Sequence, residues 1–158
     1  MRLNVFTDYC LRSLIYICLK EGQIVTRAEI AQAYAISDNH LMKVVHFLAQ
    51  EGFVQTLRGK GGGIRLAREP HLINLGTLVR ASEEDSPIVE CFDPEHNSCN
   101  IVAACRLKHI LHEAVQALYL VLDHYTLADL VQNRHELTPI FAIQLPTLPA
   151  KNIPSLKR

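Results

Sequence analysis

Apolar side chains recur at helical spacing through the first third of the chain. Positions i, i+3, i+4 and i+7 predict an amphipathic first helix that ends near Gly22 and buries Leu11, Leu14, Ile15 and Cys18. Thr26 and Glu29 form a capping box, which opens a second helix. Ser37 caps a third helix, whose inward face consists of Leu41, Val44, Val45 and Leu48. Two helices joined by a short turn predict a helix-turn-helix.

After Gly52 the pattern changes from helical to β-prone. Two short runs, Phe53–Leu57 and Ile64–Ala67, flank the segment Arg58–Gly63, which contains four glycines. Two strands around a glycine-rich tip predict a β-hairpin, and a hairpin that follows a helix-turn-helix is a wing. A P-loop is excluded, because Gly-Lys is followed here by glycine rather than Ser or Thr, and then by a strand rather than a helix.

The second half of the chain is predicted to be mostly helical. A helix capped by Asn74 precedes a polar, acidic loop at residues 86–98. A long helix to Tyr125 then starts either at Asn100 or, if the chain breaks near Cys105, at Arg106. Its apolar positions keep alternating three- and four-residue steps, as a heptad seam does: Ala104, Leu107, Leu111, Ala114, Leu118, Val121 and Tyr125. Further apolar positions widen this surface, so we expect the helix to pack its own domain on one side and a second subunit on the other.

These elements predict a mainly α-helical fold with a small β-hairpin wing: a winged helix-turn-helix followed by a long dimerisation helix. The predicted division is a DNA-binding domain at residues 1–84, a loop and dimerisation helix at 85–133, and a disordered tail at 134–158. Thr126 caps a short helix, Leu127–Gln132, at the end of the second unit. Four prolines in the last 20 residues are the reason for predicting a disordered tail.

The charge of the chain is balanced overall but not along its length. Its 16 Lys and Arg residues offset 16 Asp and Glu residues, and a net charge of zero by itself argues against a nucleic-acid binder. Residues 1–70, however, carry nine basic and six acidic side chains, whereas residues 71–158 carry seven and ten. The segment Val54–Arg68 has four basic and no acidic residues, and Glu83–Glu95 has six acidic and no basic ones. This asymmetry predicts two halves with different partners.

The sequence also predicts the compartment. No apolar run reaches the ~18–20 residues of a membrane span, and no secretory signal precedes Asp8 and Arg12, so we expect no membrane partner. Five cysteines are an odd number in a chain without such a signal. We therefore expect a cytoplasmic protein with free or metal-binding thiols.

The third helix and the wing supply the candidate DNA contacts. In a winged helix-turn-helix the second helix of the motif enters the major groove. Asn39 suits adenine and Lys43 suits guanine or phosphate, whereas Arg58 suits a narrow minor groove. The predicted DNA-binding residues are Arg12, Ser37, Asn39, His40, Lys43, Arg58, Lys60 and Arg65. The alternative is a solvated basic hairpin on an ordinary α+β domain, and Asp38 is an acidic residue at the proposed phosphate surface.

Three cysteines lie around the predicted start of the long helix. Cys91, Cys99 and Cys105 have the spacing C-x7-C-x5-C, which suits an iron–sulfur cluster or zinc. Three thiolates require a fourth ligand of another type or from another subunit, and for zinc the candidates are His96, His109 and His112. The other two cysteines, Cys10 and Cys18, belong to the first helix, and we expect both to be packing residues.

Taken together, these motifs resemble a known family. The opening Phe6–Arg12 (FTDYCLR), the wing Arg58–Leu66 (RGKGGGIRL) and Ala104–Lys108 (ACRLK) are similar to those of the Rrf-type winged-helix regulators. Within that family the similarity is to the nitric-oxide-sensing repressors, whose C-terminal part resembles Tyr125–Val131. The resemblance covers roughly residues 1–133.

The resemblance implies a homodimer with one iron–sulfur cluster per subunit. It assigns Cys91, Cys99 and Cys105 as ligands and Asp8 of the other subunit as the fourth. Other members use a histidine three residues after the last cysteine, where this chain has Lys108. Seven residues separate Cys91 from Cys99, whereas many nitric-oxide-sensing members have five. By resemblance a [2Fe–2S] cluster is expected ahead of a [4Fe–4S] cluster.

The resemblance also implies a function. Such a protein binds double-stranded operator DNA as a dimer and represses genes of nitrosative-stress defence. Nitric oxide is the signal, and nitrosylation of the cluster releases the DNA. The alternative is a cluster-free winged-helix regulator that senses thiol redox state or a small metabolite. An enzyme with Cys91 or Cys105 as nucleophile is disfavoured, because no motif supplies the base and the orienting group.

Overall fold

The computed structural model describes residues 3–83, 87–93 and 95–143. The described chain is mainly helical with one antiparallel hairpin, which confirms the predicted fold class. Its elements are α1 Val5–Leu19, α2 Arg27–Tyr34, α3 Asp38–Gln50, β1 Val54–Leu57, β2 Gly63–Leu66, α4 Leu75–Glu83, α5 Arg106–Asp123, α6 Leu127–Leu130 and α7 Arg134–Ile140. Short 3₁₀ turns lie at Pro70–Leu72, Glu90–Phe92 and Val102–Ala104.

Helix α1 lies at the centre of the core. It packs against α2, α3, α4, α6 and β2, so one helix supports the other elements of the DNA-binding half. Leu14 is completely buried on α1, as are Leu41 and Leu48 on α3. A large apolar side chain contributes about 1.5–3 kcal/mol when it is fully buried. The predicted inward face of the third helix is therefore confirmed, and α1 is the surface on which it packs.

Both helices of the helix-turn-helix begin at the capping residues that the sequence predicts. The backbone amide of Thr26 donates to Glu29 Oε2 at 2.7 Å, and the amide of Glu29 donates to Thr26 Oγ1 at 3.2 Å, which completes the capping box. Helix α2 ends at Tyr34, and its C-cap residue Ala35 has a left-handed φ of 53°. Ser37 Oγ then accepts from the amide of His40 at 3.4 Å and starts α3.

The wing is held to the helices by a third strand-like segment. β1 and β2 pair in the register Val54↔Leu66, and Ile64 forms an isolated antiparallel bridge with Val25, just before α2. Two of the glycines are needed for close approach. A Cβ on Gly62 would clash with a backbone oxygen of Leu57, and one on Gly63 would lie 2.6 Å from the side chain of Ile24 and from the oxygen of Val25. The tip is therefore set at a fixed position relative to the helix-turn-helix.

The C-terminal end of α5 is fixed to the start of α4. Asn74 caps α4 by accepting from the amide of Thr77 at 2.9 Å, and its Nδ2 donates to the backbone oxygen of Asp123 at 2.8 Å. Both terminal guanidinium nitrogens of Arg80 donate to the Asp123 carboxylate, and Nη1 does so at 2.7 Å. A Cβ on Gly76 would clash with Asp123 Oδ1, so a larger residue there would displace the Asp123 carboxylate from its present position. A movement of α5 is thus transmitted to α4.

Helix α5 presents a broad apolar surface. It begins at Arg106, immediately after an extended Cys105, so the later of the two predicted starts is the observed one. Its 18 residues span ~27 Å. None of its residues is buried in the single chain, and the most exposed apolar side chains are Leu107, Ile110, Leu120 and Val121. Within the described ranges, no helix is long and apolar enough to cross a membrane.

The prediction of a disordered tail at 134–158 is wrong for its first ten residues. Helix α7 occupies Arg134–Ile140 and carries Pro139 in its last turn. The ring of Phe141 lies 5.6 Å from that of Tyr16 and 5.1 Å from that of Tyr34, both T-shaped. Proline content predicted coil, but aromatic packing on α1 and α2 orders the segment.

The observed end of α6 differs from the predicted end by less. α6 ends at Leu130, two residues before the predicted end, although Thr126 forms the predicted cap with Asp129. Residues 144–158 of the predicted tail lie outside the described residues. So do residues 84 and 85, between which the sequence divides the first two units, and that division stays a prediction.

Two neighbouring substitutions test the packing of the C-terminal segment. We expect Phe141→Ala to lower the free energy of unfolding by about 2 kcal/mol, less than the 3–5 kcal/mol of a fully buried Phe. Ile140→Ala is the control, because Ile140 is 73% exposed and its loss should change stability by no more than about 0.5 kcal/mol. Urea unfolding measures both. Equal values for the two variants would contradict the packing of Phe141.

Candidate DNA interface and cluster site

The predicted DNA contacts of α3 lie on one exposed face. Asn39, His40 and Lys43 are exposed, whereas the opposite face is buried against the core. Ser37 is also exposed, but its hydroxyl caps α3 by accepting from the amide of His40. Its role in the structure is therefore to begin the helix, and the structure brings together the remaining three residues as predicted.

The face of α3 is coupled to α1 by two ring contacts. The rings of Tyr9 and His40 are 5.7 Å apart, and those of Phe6 and Phe47 are 5.3 Å apart in a T-shaped arrangement. These contacts lie near the two ends of α3, so α3 cannot rotate independently of α1. His40 is consequently both a predicted DNA contact and part of the packing between the helices.

Asp38 has a basic partner that the sequence analysis missed. Arg27, the first residue of α2, has its Nε 3.3 Å from Asp38 Oδ1, and both side chains are partly exposed. The pair offsets the negative charge of Asp38 beside the proposed DNA surface. The signal was available, since Arg27 opens the first helix of a helix-turn-helix, but the pairing depends on how the two helices cross.

The basic residues of the wing fall into two groups. Arg58 and Lys60 are exposed at the tip. Arg65 lies on β2 and donates to Gln55 Oε1 across the hairpin at 3.1 and 3.3 Å. Arg68 instead turns back and donates to the backbone oxygen of Gly52 at 2.9 Å. Its guanidinium also covers the ring of Phe53, so Arg68 supports the hairpin. All four basic residues of this segment are exposed, but only Arg68 is bonded to the protein backbone.

The predicted fourth ligand and a predicted phosphate contact are paired with each other. Asp8 and Arg12 lie one turn apart on α1, with Arg12 Nη2 2.8 Å from Asp8 Oδ2. The Arg12 guanidinium also lies over the ring of Tyr34, 5.8 Å from its centroid. Both charged side chains are more than 40% exposed. Each is therefore accessible to a different partner.

The three predicted cysteine ligands are half-buried on one surface segment. Cys91 lies in the turn Glu90–Phe92, Cys99 lies before the turn that leads to Val102–Ala104, and Cys105 precedes the first residue of α5. In the single chain they do not converge. Among residues 3–83, 87–93 and 95–143, no three His, Cys, Asp or Glu side chains are grouped closely enough to hold a metal ion.

Local bonds shape the loop that carries two of these cysteines. Asp93 accepts from His96 Nδ1 at 2.7 Å and from the amide of Glu95 at 2.9 Å. These bonds place the Asp93 pKa below its usual range, with the His96 bond as the main cause. The ring of Phe92 packs edge-on against that of His112 on α5, 6.0 Å between centroids. The residue next to Cys91 is thus anchored on α5.

The chemistry of this donor set fits an iron–sulfur cluster. All three thiols are free, and Cys105 occupies the N-cap of α5 without any side chain bonding the first amides of the helix. The amino end of a helix stabilises a thiolate, because its unpaired N–H groups carry partial positive charge. Soft thiolates are also the ligands that such clusters take. Three thiolates leave one ligand position for a fourth donor.

Cys10 and Cys18 are confirmed as packing residues. Cys10 is completely buried, and burial raises the pKa of its thiol to about 12. Burial also raises the pKa of Cys18, although the nearby Arg134 opposes that shift. Both thiols therefore stay protonated, and neither lies among the residues of the cysteine loop.

A helix-turn-helix with an exposed polar face, followed by a hairpin with a basic tip, defines a winged-helix DNA-binding transcriptional regulator. The chain belongs to the Rrf2 family, described as iron-dependent transcriptional regulators, whose family model matches residues 3–133. Its relatives are regulators rather than enzymes. Helix α7 begins directly after the matched region.

Curated relatives align over nearly their whole length. The chain is 48% identical to the HTH-type transcriptional regulator NsrR of Bacillus subtilis over 145 residues, 91% of this chain and 99% of that protein. It is 44% identical to NsrR of Bacillus licheniformis over 143 residues, 90% of this chain and all of that protein.

Solved structures of the family share the fold. The oxidised form of Staphylococcus aureus CymR matches with a TM-score of 0.65 and 26% identity, covering 84% of this chain and 97% of that chain. IscR from T. potens matches in fold with a TM-score of 0.67 and 24% identity, covering 87% and 90%.

The exposure of the cysteines predicts two classes of thiol. In metal-free, reduced protein we expect Cys91, Cys99 and Cys105 to react with DTNB within minutes at about pH 8. Cys10 and Cys18 should react only on unfolding, since both are buried and the Cys10 pKa is about 12. Absorbance of the released chromophore, with and without denaturant, gives the count. A fourth fast thiol that disappears in Cys18→Ala would contradict the assignment.

Proposed function

We propose that this protein is a nitric-oxide-sensitive transcriptional repressor of the cytoplasm that binds operator DNA as a homodimer and carries one iron–sulfur cluster per subunit. The observation that carries the proposal is the row of three free, half-buried thiols before α5, in a chain similar to NsrR proteins over nearly their full length. Nitric oxide ends DNA binding and derepresses genes of nitrosative-stress defence.

The dimer forms through α5. Four of its apolar side chains are more than half exposed in the single chain: Leu107, Ile110, Leu120 and Val121. Contiguous apolar surface of this kind marks a protein interface. A two-fold axis across α5 makes the contact isologous, so each subunit buries the same face. Because Asp123 at the end of α5 is bound to Arg80 of α4, the dimer axis also sets the positions of the two winged helices.

The paired α3 helices enter successive major grooves. A symmetric dimer places them ~34–36 Å apart, and Asn39 and Lys43 face the base edges. Arg58 and Lys60 at the wing tip contact the minor groove and the sugar-phosphate chain. Arg12 and Arg27, on α1 and α2, contact phosphate. All of these side chains are at least partly exposed.

Four residues hold the cluster: Cys91, Cys99 and Cys105 of one subunit and Asp8 of the other. When bound, the cluster supplies iron that reacts with nitric oxide, and a [2Fe–2S] form is expected ahead of [4Fe–4S]. A carboxylate as fourth ligand ties the cysteine loop of one chain to α1 of the other. Asp8 lies beside Arg12 on α1, so its choice of partner decides whether the Arg12 guanidinium is paired or free.

Helix α1 carries this choice to the DNA surface. Tyr9, next to Asp8, packs on His40 of α3, and Phe6 packs on Phe47. A displacement of α1 therefore moves α3 as well. A hundredfold change in DNA affinity needs a coupling free energy of only ~2.7 kcal/mol, which is within the usual allosteric range.

A second candidate is a cluster-free regulator that senses thiol oxidation or a small metabolite. The observation that favours it is that no three metal-ligating side chains converge in the described parts of the single chain. The family member CymR of S. aureus has also been solved in an oxidised form. The thiols of the loop would then be the sensing groups.

An anaerobic absorbance spectrum separates the two candidates. We expect the protein to be brown when it is purified without oxygen, and each of Cys91→Ser, Cys99→Ser and Cys105→Ser to lose the colour. Cys18→Ala is the control that keeps it, because Cys18 is buried in the core. Titration with nitric oxide should weaken operator binding about a hundredfold. Colourless protein, or protein with one zinc per chain, would exclude the cluster.

The wing is tested by the salt dependence of binding. Removing one phosphate contact should flatten the slope of log K against log salt concentration by ~0.9. We expect this for Arg58→Ala and for Lys60→Ala, measured by fluorescence anisotropy on operator DNA. Lys60→Arg keeps the charge and should keep the slope. A wild-type slope in both alanine variants would show that the wing does not reach phosphate.

A further inference from the structure

One side chain on the DNA-facing part of α3 is apolar. Met42 is 51% exposed, although its neighbours on the exposed surface of α3 are polar, among them Asn39, Lys43 and His46. The helix turns by 100° per residue, which places Met42 between the buried face of α3 and the exposed stripe formed by Asn39, Lys43 and His46. It is three residues from Asn39 and four from His46, the spacing of neighbours on a helix surface.

The two flanks of this stripe differ in their surroundings. His40 lies on one flank, where the ring of Tyr9 from α1 packs on it at 5.7 Å. Met42 lies on the other flank, one turn beyond Asp38, which is paired with Arg27 at the start of α2. The Met42 flank is therefore bordered by an ion pair and not covered by an aromatic ring, and half of the Met42 side chain is exposed.

We propose that Met42 is a specificity-determining residue that packs against the C5-methyl group of a thymine in each operator half-site. This inference rests on the proposed function, because it requires that α3 enters the major groove. The thymine methyl is the apolar group that the major groove presents, and protein side chains recognise it by apolar contact. A methionine suits this task, since its unbranched, polarisable chain adapts to the surface that it meets.

The test removes single methyl groups from the DNA. An operator duplex is selected from random sequence with the full-length protein under anaerobic conditions, and each thymine is then replaced in turn by deoxyuridine. We expect one position per half-site at which the replacement weakens binding about fourfold, corresponding to about 0.8 kcal/mol at 1.4 kcal/mol per tenfold. Met42→Ala removes the contact from both half-sites of the dimer and should therefore bind the unmodified operator about sixteenfold more weakly, and deoxyuridine at that position should then have no further effect.

Two variants serve as controls. Met42→Leu keeps an apolar chain of similar size and should retain sensitivity to the methyl group. Arg58→Ala, at the tip of the wing and not on α3, should weaken binding yet leave the deoxyuridine effect at fourfold, because sites that share no contacts contribute additively. Binding to a scrambled duplex should be equal for wild type and Met42→Ala, since Met42 carries no charge.

The outcomes are distinct. If no thymine is sensitive to deoxyuridine, or if the sensitivity persists in Met42→Ala, the assignment of Met42 is wrong while operator binding stands. If the full-length protein selects no sequence at all, the proposed function fails and this inference fails with it.

Discussion

The packing of α1 is the constraint on which the rest of the structure depends. Its buried face, with Leu14 and Ile17 at the centre, contacts elements from all parts of the DNA-binding half. Its remaining surface carries Asp8 and Arg12. Because protein interiors are close-packed and adjust in discrete steps, a shift of α1 is not absorbed locally. The same helix is therefore the central packing element and also carries a proposed cluster ligand, Asp8, and a proposed phosphate contact, Arg12.

The two ends of α5 adjoin different parts of the chain. Cys105 precedes its first turn, and its last turn is bound to α4 through Asp123, Arg80 and Asn74. The amide of Asn4, which caps α1, donates to Glu83 at the end of α4 at 2.7 Å. Helices α5, α4 and α1 are thus connected in series by specific polar contacts. Contacts therefore join the helix that follows Cys105 to the helix on which α3 packs.

Much of the fold could be predicted from the sequence, because its signals are local. Hydrophobic periodicity, the Thr26–Glu29 box and the glycine-rich segment each specify structure within a few residues, and the observed boundaries agree with them closely. The ordered segment at Phe141 could not be predicted in this way. Its order depends on Tyr16 and Tyr34, which are distant in sequence, whereas the local signal was the prolines.

The candidate site likewise has features that local sequence predicts and features that depend on tertiary structure. The exposed face of α3 follows from helical periodicity alone, but the pairing of Arg27 with Asp38 and the return of Arg68 to the backbone of Gly52 depend on tertiary geometry. The cysteines could be identified from their spacing. Their ligation depends on a fourth donor, which the family resemblance, and not the pattern of this chain, assigned to Asp8.

The Asp8–Arg12 pair has a further consequence. Exposed ion pairs stabilise a protein by less than ~1 kcal/mol and weaken as the salt concentration rises, so this pair is a reversible contact. A higher ionic strength would therefore make the separation of Arg12 from Asp8 easier.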